Sequence, residues 1–360
     1  MKAVIWNGAS AEVVTDRPEP RLRPDYILAS TVAVALNPTD VKGIAQRRAA
    51  TNGLLGWDFS GIVLEVGQEV TKPFKKGDRV FGLAHGGNFN EAEDGAWAEV
   101  VAAKGDCCMK MPDHWQFEDA ATVGTSALTV GLGLFQEMKL RLPRVEIPGA
   151  STGTQKEYIL IYGGSSSAGT LAIQYARLAG YAVVTTSSKH NFDLCKSRGA
   201  EAVFDYTDPS CGEQIYEHTQ GKLKLVWDTI GSEDGVNICM AALSQATDSE
   251  DKKYGTILFN GIPRKDVKHS FSVVISFSGE ACDKFGKHFP AVMEDFEFSK
   301  QFTSLTETLA AEGLLHPHPV RVINRGLLGM VEEGVQLCSQ GKVSGCKIVA
   351  RVAETCGKDQ

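Results

Sequence analysis

One stretch constrains the fold of this chain more than any other. An apolar run, Tyr158–Tyr162, stops on Gly163-Gly164-Ser165-Ser166-Ser167-Ala168-Gly169, and residues 169–178 then carry apolar side chains at helical spacing. A strand that turns on glycines into a helix opens a βαβ unit. Set against G-x-G-x-x-G, Gly164 and Gly169 hold the first and third positions and Ser166 stands at the second. The pattern has a physical basis in anion binding: amides at a helix N-terminus, here with serine hydroxyls beside them, cradle the pyrophosphate of a dinucleotide. A glycine turn alone is ordinary loop chemistry. The flanking strand and helix, with a second strand following at residues 182–185, give it meaning.

The end of that second strand separates the two nicotinamide cofactors. A carboxylate there would bond the ribose 2′-hydroxyl of NAD, but the chain reads Thr185-Thr186-Ser187-Ser188-Lys189-His190-Asn191. The hydroxyl, ammonium and amide donors of Ser188, Lys189 and Asn191 suit a 2′-phosphate, so the expected cofactor is NADPH.

Strands and helices continue to alternate, with a helix over 192–197 and strands at 202–204, 225–227, 256–259 and 271–277. This predicts an α/β fold with a doubly wound parallel sheet over residues 126–280. Residues 4–101 instead carry short β-rich runs broken by Gly-Asp at 77–78 and Gly-Gly at 86–87, which reads as a β-domain. Beyond residue 278 come helices at 296–309 and 326–339 and a closing strand at 347–352. The expected domains are therefore 1–125 with 281–360, discontinuous in sequence, and 126–280. Residues 145–156 read as a surface loop.

A net charge of −7, from 37 basic and 44 acidic residues, gives no footprint for nucleic acid or an anionic membrane. The weakly polar run 120–135 is too short to cross a bilayer. An odd count of nine cysteines and an N-terminal apolar stretch shorter than a signal peptide's predict reduced thiols and a cytoplasmic protein.

Asn37-Pro38-Thr39-Asp40, Gly56-Trp57-Asp58-Phe59-Ser60-Gly61, Gly77-Asp78-Arg79-Val80-Phe81-Gly82, the glycine-serine loop and Asn191-Phe192-Asp193 together resemble a medium-chain dehydrogenase/reductase. The segment from Ser188 through Arg198-Gly199-Ala200-Glu201 to Phe204-Asp205-Tyr206, with Val343-Ser344-Gly345-Cys346-Lys347, is most similar to the fungal trans-acting enoyl reductases of the lovastatin type, which serve highly reducing polyketide synthases. That resemblance implies a GroES-like β-domain built from both chain ends and a Rossmann domain between them. It implies cofactor contacts at Thr39, Asp40, Val41 and Lys42, at Ser165, Ser166, Ser167 and Ala168, at Ser188, Lys189, His190 and Asn191, and at Tyr206, Leu258, Phe259, Val343 and Ser344. Acyl-substrate contacts are implied at Ser126, Ala127, Leu128, Thr129, Val130, Gly131, Leu132 and Gly133, and at Val274, Ile275, Ser276, Phe277 and Ser278. The implied partner is the acyl carrier domain of the synthase.

Zinc-dependent members of the superfamily hold a catalytic metal through a cysteine and a Gly-His-Glu. Here Asn37 and Trp57-Asp58 stand in those regions, so no metal is expected. Cys107 and Cys108 are adjacent and lack zinc spacing, and His316-Pro317-His318 reads as an exposed turn. Without a Lewis acid for an alcohol oxygen, reduction of a conjugated C=C becomes the expected chemistry. Lys42 is the candidate catalytic residue, against the plainer reading that it starts a surface helix with Arg47 and Arg48. The alternatives are a quinone or alkenal reductase acting on free small molecules, or a non-catalytic NADPH-binding protein. The strand at 271–277, left as a free edge, predicts a monomer. Arg47, Arg48, Arg264 and Lys265 are candidates for a basic patch that meets an acidic carrier domain.

Overall fold

The computed structural model describes residues 1–145, 156–245, 251–258, 261–284 and 286–355. The expected surface loop at 145–156 lies almost wholly outside them. Along the chain, β1 (Ala3–Trp6), β2 (Ala11–Val14) and β3 (Tyr26–Ala35) lead to helix α1 (Pro38–Ala45). Strands β4 (Asp58–Val66), β5 (Arg79–Leu83), β6 (Val100–Lys104) and β7 (Met109–Lys110) follow, then α2 (Phe117–Ala120) and α3 (Gly124–Val130), which runs into a π-helical turn at Gly131–Glu137. Next come β8 (Tyr158–Tyr162), α4 (Ser167–Leu178), β9 (Ala182–Ser187), α5 (Phe192–Ser197), β10 (Ala202–Asp205) and α6 (Cys211–His218). The alternation continues with β11 (Leu225–Asp228), α7 (Glu233–Ala242), β12 (Lys253–Thr256) and β13 (Lys268–Phe271). The chain closes with β14 (Cys282–Lys284), β15 (Lys287–Phe289), α8 (Met293–Ala311), β16 (Val320–Ile323), α9 (Gly326–Gly329), α10 (Val335–Ser339) and β17 (Lys347–Arg351).

Two compact units result: residues 1–128, 275–311 and 317–360 form one, and 129–274 with 312–316 form the other. In the first, the sheet runs β16-β17-β3-β4-β5-β7, with β6 also on β3. Strand β17, from the end of the chain, lies antiparallel to β3, Val349 opposite Ala35. Its core gathers Phe59, Val63, Val80 and Trp97 with Leu327, Met330 and Ile348. A side chain at Gly56 would sit 2.1 Å from the Trp97 ring, and Gly56 has φ +90, so only glycine lets the segment before β4 pass under that indole.

The second unit is a six-stranded sheet in the order β10-β9-β8-β11-β12-β13, every pairing parallel. That is the expected α/β doubly wound class, and the strand order reverses between β8 and β11. Its core joins Leu160, Val184, Val226 and Tyr254 to Ile215, Val236 and Met240 of the covering helices.

Two expected strands are displaced. The strand read at 256–259 ends at Thr256, because its neighbour β11 stops opposite it at Asp228. The Asp228 carboxylate there accepts the amides of Ile230 and Gly231 and turns the chain away. The strand read at 271–277 ends at Phe271 for the same reason, since β12 offers no further partner. Val274–Ser278, although β-branched and aromatic, coils into a short 3-10 helix. The proposed free edge is therefore Lys268–Phe271. His318 is also not exposed, at 2% of its surface. No described helix is long and apolar enough to cross a membrane.

Candidate active site

In the second unit the glycine-serine loop is held by close contacts, to side chain and backbone, that only glycine allows. A Cβ on Gly164 would fall 2.0 Å from Thr185 Oγ1, and one on Gly169 2.3 Å from the Gly163 carbonyl. The amide of Gly163 donates to Thr186 Oγ1 and that of Gly164 to the Thr186 carbonyl, so the loop is pinned to the end of β9. Ser166, in the place of the middle glycine, caps α4: its Oγ accepts the Gly169 amide at 2.9 Å and lies 3.0 Å from Thr229 Oγ1. Its hydroxyl is thus tied into the loop. Ser165, Ser167 and Ala168 are half-buried around it. A helix N-terminus reached through such a loop fits a dinucleotide pyrophosphate.

At the ends of β9 and β10, Ser188 Oγ and the Tyr206 hydroxyl lie 3.2 Å apart, and Tyr206 is 43% exposed. Lys189 and His190 are exposed and Asn191 is buried. The fold adds a carboxylate that sequence reading missed. Lys189 Nζ lies 3.6 Å from Asp205 Oδ2 across the sheet. Thr207 holds that carboxylate, through its amide and hydroxyl, below the usual range. The signal was present in Phe204-Asp205-Tyr206, but it is β10 pairing with β9, Asp205 opposite Ser187, that brings it near Lys189. Leu258 follows β12 beside Gly231. Phe259 lies outside the described residues.

In the first unit, Asn37 precedes α1 and Pro38 opens it, a good first helical residue. The amide of Asn37 donates to Asp40 Oδ2 at 2.8 Å, and the amide of Asp40 returns to the Asn37 carbonyl. The Asn37 side chain donates to Asp58 Oδ2, also at 2.8 Å. Asp58, fully buried at the start of β4, further accepts the Thr125 amide at 2.6 Å and the ammonium of Lys347 at the start of β17. Lys347 itself is 4% exposed. This donor set does not suit zinc: an amide and an ammonium already donate to the one carboxylate, and neither thiolate nor imidazole belongs to the cluster.

Thr39, Asp40, Val41 and Lys42 ride on α1, with Lys42 exposed. Val41 and Ile44 pack on the same core as Val335, Cys338 and Val343, so the chain ends bring Val343 and exposed Ser344 to the unit that holds α1. Ser126, Ala127, Leu128, Val130, Gly131, Leu132 and Gly133 are buried, which leaves Thr129 the one partly exposed member of that stretch. Val274 and Ser276 are half-buried, whereas Ile275, Phe277 and Ser278 are buried. The basic patch breaks up. Arg264 is bound to Asp266 and to the carbonyls of Met240, Leu243 and Ser244, and Arg48 lines a cavity, leaving Arg47 and Lys265 exposed.

That cavity, of about 20 Å³, lies between α1 and the segments at Leu55–Trp57, Gly86–Gly87 and Lys284. Lys284 Nζ donates to the Gly86 carbonyl at 3.0 Å, lies 3.2 Å from His85 Nε2 and sits over the Trp57 ring at 5.3 Å. Burial lowers its ammonium to about 8. Burial and then the Lys284 charge hold His85 well below its ordinary range. Burial raises the Asp40 carboxyl to about 7. Nothing in the local sequence announced Lys284 or His85.

Both units match models of known families. Residues 23–113 match the alcohol dehydrogenase GroES-like domain, and residues 168–280 match the zinc-binding dehydrogenase family. An alcohol dehydrogenase superfamily protein from Novosphingobium aromaticivorans superposes with TM-score 0.77 at 21% identity, covering 97% of this chain and 98% of its own. The CurK enoyl reductase superposes with TM-score 0.70 at 19% identity over the same shares. Fold and site thus define a medium-chain dehydrogenase/reductase, an oxidoreductase class that works with a nicotinamide cofactor. The trans-enoyl reductase ACTTS2 of Alternaria alternata is 39% identical over 98% of both chains. The trans-enoyl reductase TOXD of Cochliobolus carbonum is 47% identical over 78% of this chain and 91% of its own. The chain belongs to the trans-enoyl reductase family.

Proposed function

We propose that the protein is an NADPH-dependent, trans-acting enoyl reductase that reduces the C=C of α,β-unsaturated polyketide acyl thioesters carried by a partner highly reducing polyketide synthase. The observation that carries this reading is the buried Asn37–Asp58–Lys347 cluster beside α1. Two of its members, Asn37 and Asp58, stand in the segments where zinc-dependent relatives hold a metal, and a carboxylate already taken up by an amide and an ammonium favours conjugate reduction over alcohol oxidation. The relatives' names agree with it. When bound, the nicotinamide supplies a hydride to the β-carbon.

The chain's own residues do the rest. Ser165, Ser167 and Ala168 line the pyrophosphate loop, and Ser166 holds that loop's shape from within. Ser188, Lys189 and Tyr206 face the 2′-phosphate, with Asp205 tempering the charge of Lys189. The exposed ammonium of Lys42 on α1 stabilises negative charge on the thioester oxygen as it develops. Thr129 is the polar side chain of the 126–133 stretch best placed to meet an acyl group. In this reading the enzyme works in the cytoplasm as a monomer, with Arg47 and Lys265 as the basic residues free to meet an acidic carrier domain.

The test is NADPH oxidation measured side by side with an enoyl-pantetheine thioester and a free quinone. Turnover of the thioester alone is expected. Preferential turnover of the quinone would replace this reading with that of a small-molecule reductase.

A further inference from the structure

The cavity beside α1 is lined by three ionisable side chains, Asp40, Arg48 and Lys284, and the facing pair Asp40 and Lys284 each keep one hydrogen-bonding valence free of the protein. Lys284 spends two of its three N–H directions on Gly86 and His85. Asp40 uses one oxygen for the Asn37 amide, and among the described residues nothing donates to the other. A volume of about 20 Å³ admits one water, which needs polar partners of this kind. Asp40 also belongs to the α1 segment proposed to meet the cofactor.

We propose that the cavity holds one water molecule bridging Lys284 Nζ to the free carboxyl oxygen of Asp40, and that this chain delivers the proton consumed in enoyl reduction. The proposal rests on the reading of the protein as an enoyl reductase. Saturating a C=C takes a hydride at the β-carbon and a proton at the α-carbon. The π electron pair rests on the enolate until it forms the α C–H bond. Asp40 is the proposed donor of that proton, from the carboxyl oxygen that does not accept the Asn37 amide. The water replaces that proton, Lys284 replaces the water's, and the neutral amine left behind is recharged from solvent.

The electrostatics fit a relay working near neutrality, because acid–base catalysts act best with a pKa near the working pH. Asp40 is raised by burial to about 7, with Asp58 adding to the rise and the Asn37 amide, Lys347 and Lys284 opposing it. Lys284 is lowered by burial to about 8 against the pull of Asp40 and Cys282. The other titratable or charged groups around the pair are neutral His85, Arg48 on the cavity wall, Cys338 on α10, and Asp283, which pairs with His288.

Carbon NMR of the aspartate-labelled protein without cofactor, with Asp40 identified through Asp40→Asn, is expected to show its carboxyl titrating near neutrality. Lys284→Gln should move that titration upward. An Asp40 that titrates in the ordinary carboxylate range, or that ignores Lys284→Gln, overturns the proposal. With the enoyl-pantetheine thioester, wild-type turnover should fall as pH rises past the Asp40 and Lys284 values. Lys284→Gln should lower kcat roughly 100-fold with KM little changed, with a larger solvent isotope effect and partial rescue by methylammonium. Lys284→Arg keeps the charge but cannot cycle a proton, so it should stay slow. Wild-type turnover in Lys284→Arg would reduce the lysine to a fixed charge and overturn the relay. If the wild-type enzyme ignores the thioester while Asp40 and Lys284 titrate as a coupled pair, the failure belongs to the reductase reading and not to the water-bridged pair.

Discussion

The glycine-serine loop and the cluster around α1 solve opposite problems. The loop of the second unit is a backbone structure, and its shape depends on side chains being absent at Gly164 and Gly169. The cluster of the first unit is made of side chains, with Asn37 and Lys347 converging on the buried Asp58. A backbone site is specified within about ten residues and tolerates exchange of its polar decorations, which is why a serine can stand at the middle glycine. A side-chain cluster fails when one member is lost, because the partner left behind is a buried, uncompensated charge.

The largest effect expected follows from that asymmetry. Lys347→Met should cost roughly 3–5 kcal/mol, since Asp58 is left charged and buried. A double variant Asp58→Leu/Lys347→Met should recover much of the loss, as read by urea unfolding. If the single variant is as stable as wild type, the cluster is not what holds α1 to β4 and β17, and the contrast with the loop disappears. Gly169→Ala comes next. Its new methyl meets the Gly163 carbonyl, and relieving that overlap should cost about 1–3 kcal/mol, with NADPH binding weakened alongside. A variant that bound normally would show that the loop moves more freely than its close contacts imply.

Lys189→Ala should weaken NADPH by about 1.5 kcal/mol, or roughly tenfold, the low end for a bond to a charged group because Asp205 already neutralises part of the lysine. NADH binding should hardly change. Asp205→Ala should act in the opposite sense, and calorimetric titration of both nucleotides reads all four numbers. Equal losses for both would mean that Lys189 does not meet a 2′-phosphate. The smallest effect tests the loop's tolerance directly. Ser166→Ala removes the α4 cap and should cost about 1 kcal/mol, whereas Ser166→Gly should cost only a few tenths. Thermal unfolding that ranked glycine below alanine would show that the serine does not act chiefly as a helix cap.

Much of the second unit was legible because its rules are local. Tyr158–Tyr162, the glycine turn and α4 followed from periodicity and breakers, and the parallel sheet followed from their repetition. The strand ends at 256–259 and 271–277 were misread because apolar, β-branched sequence says that a segment can pair, not that a neighbour remains to pair with. Lys189 was legible as a cation, but its attachment to Asp205 was not, since that contact exists only once β10 lies on β9.

By itself, the sequence determined the fold class, the glycine-serine turn between β8 and α4 and the absence of thiolate and imidazole donors at Asn37 and Trp57-Asp58, because each depends on which residue types stand within one turn of chain. The tertiary structure alone decided what fills those positions. Lys347 reaches Asp58 across 289 residues, and Lys284 reaches His85 across 199. Such pairs leave no periodic trace in either segment. Their charges are kept out of water only because β17 docks on β3 and β14 returns beside the Trp57 segment. Charged partners that meet through a completed core are set by packing, and packing is not written in any short stretch of the chain.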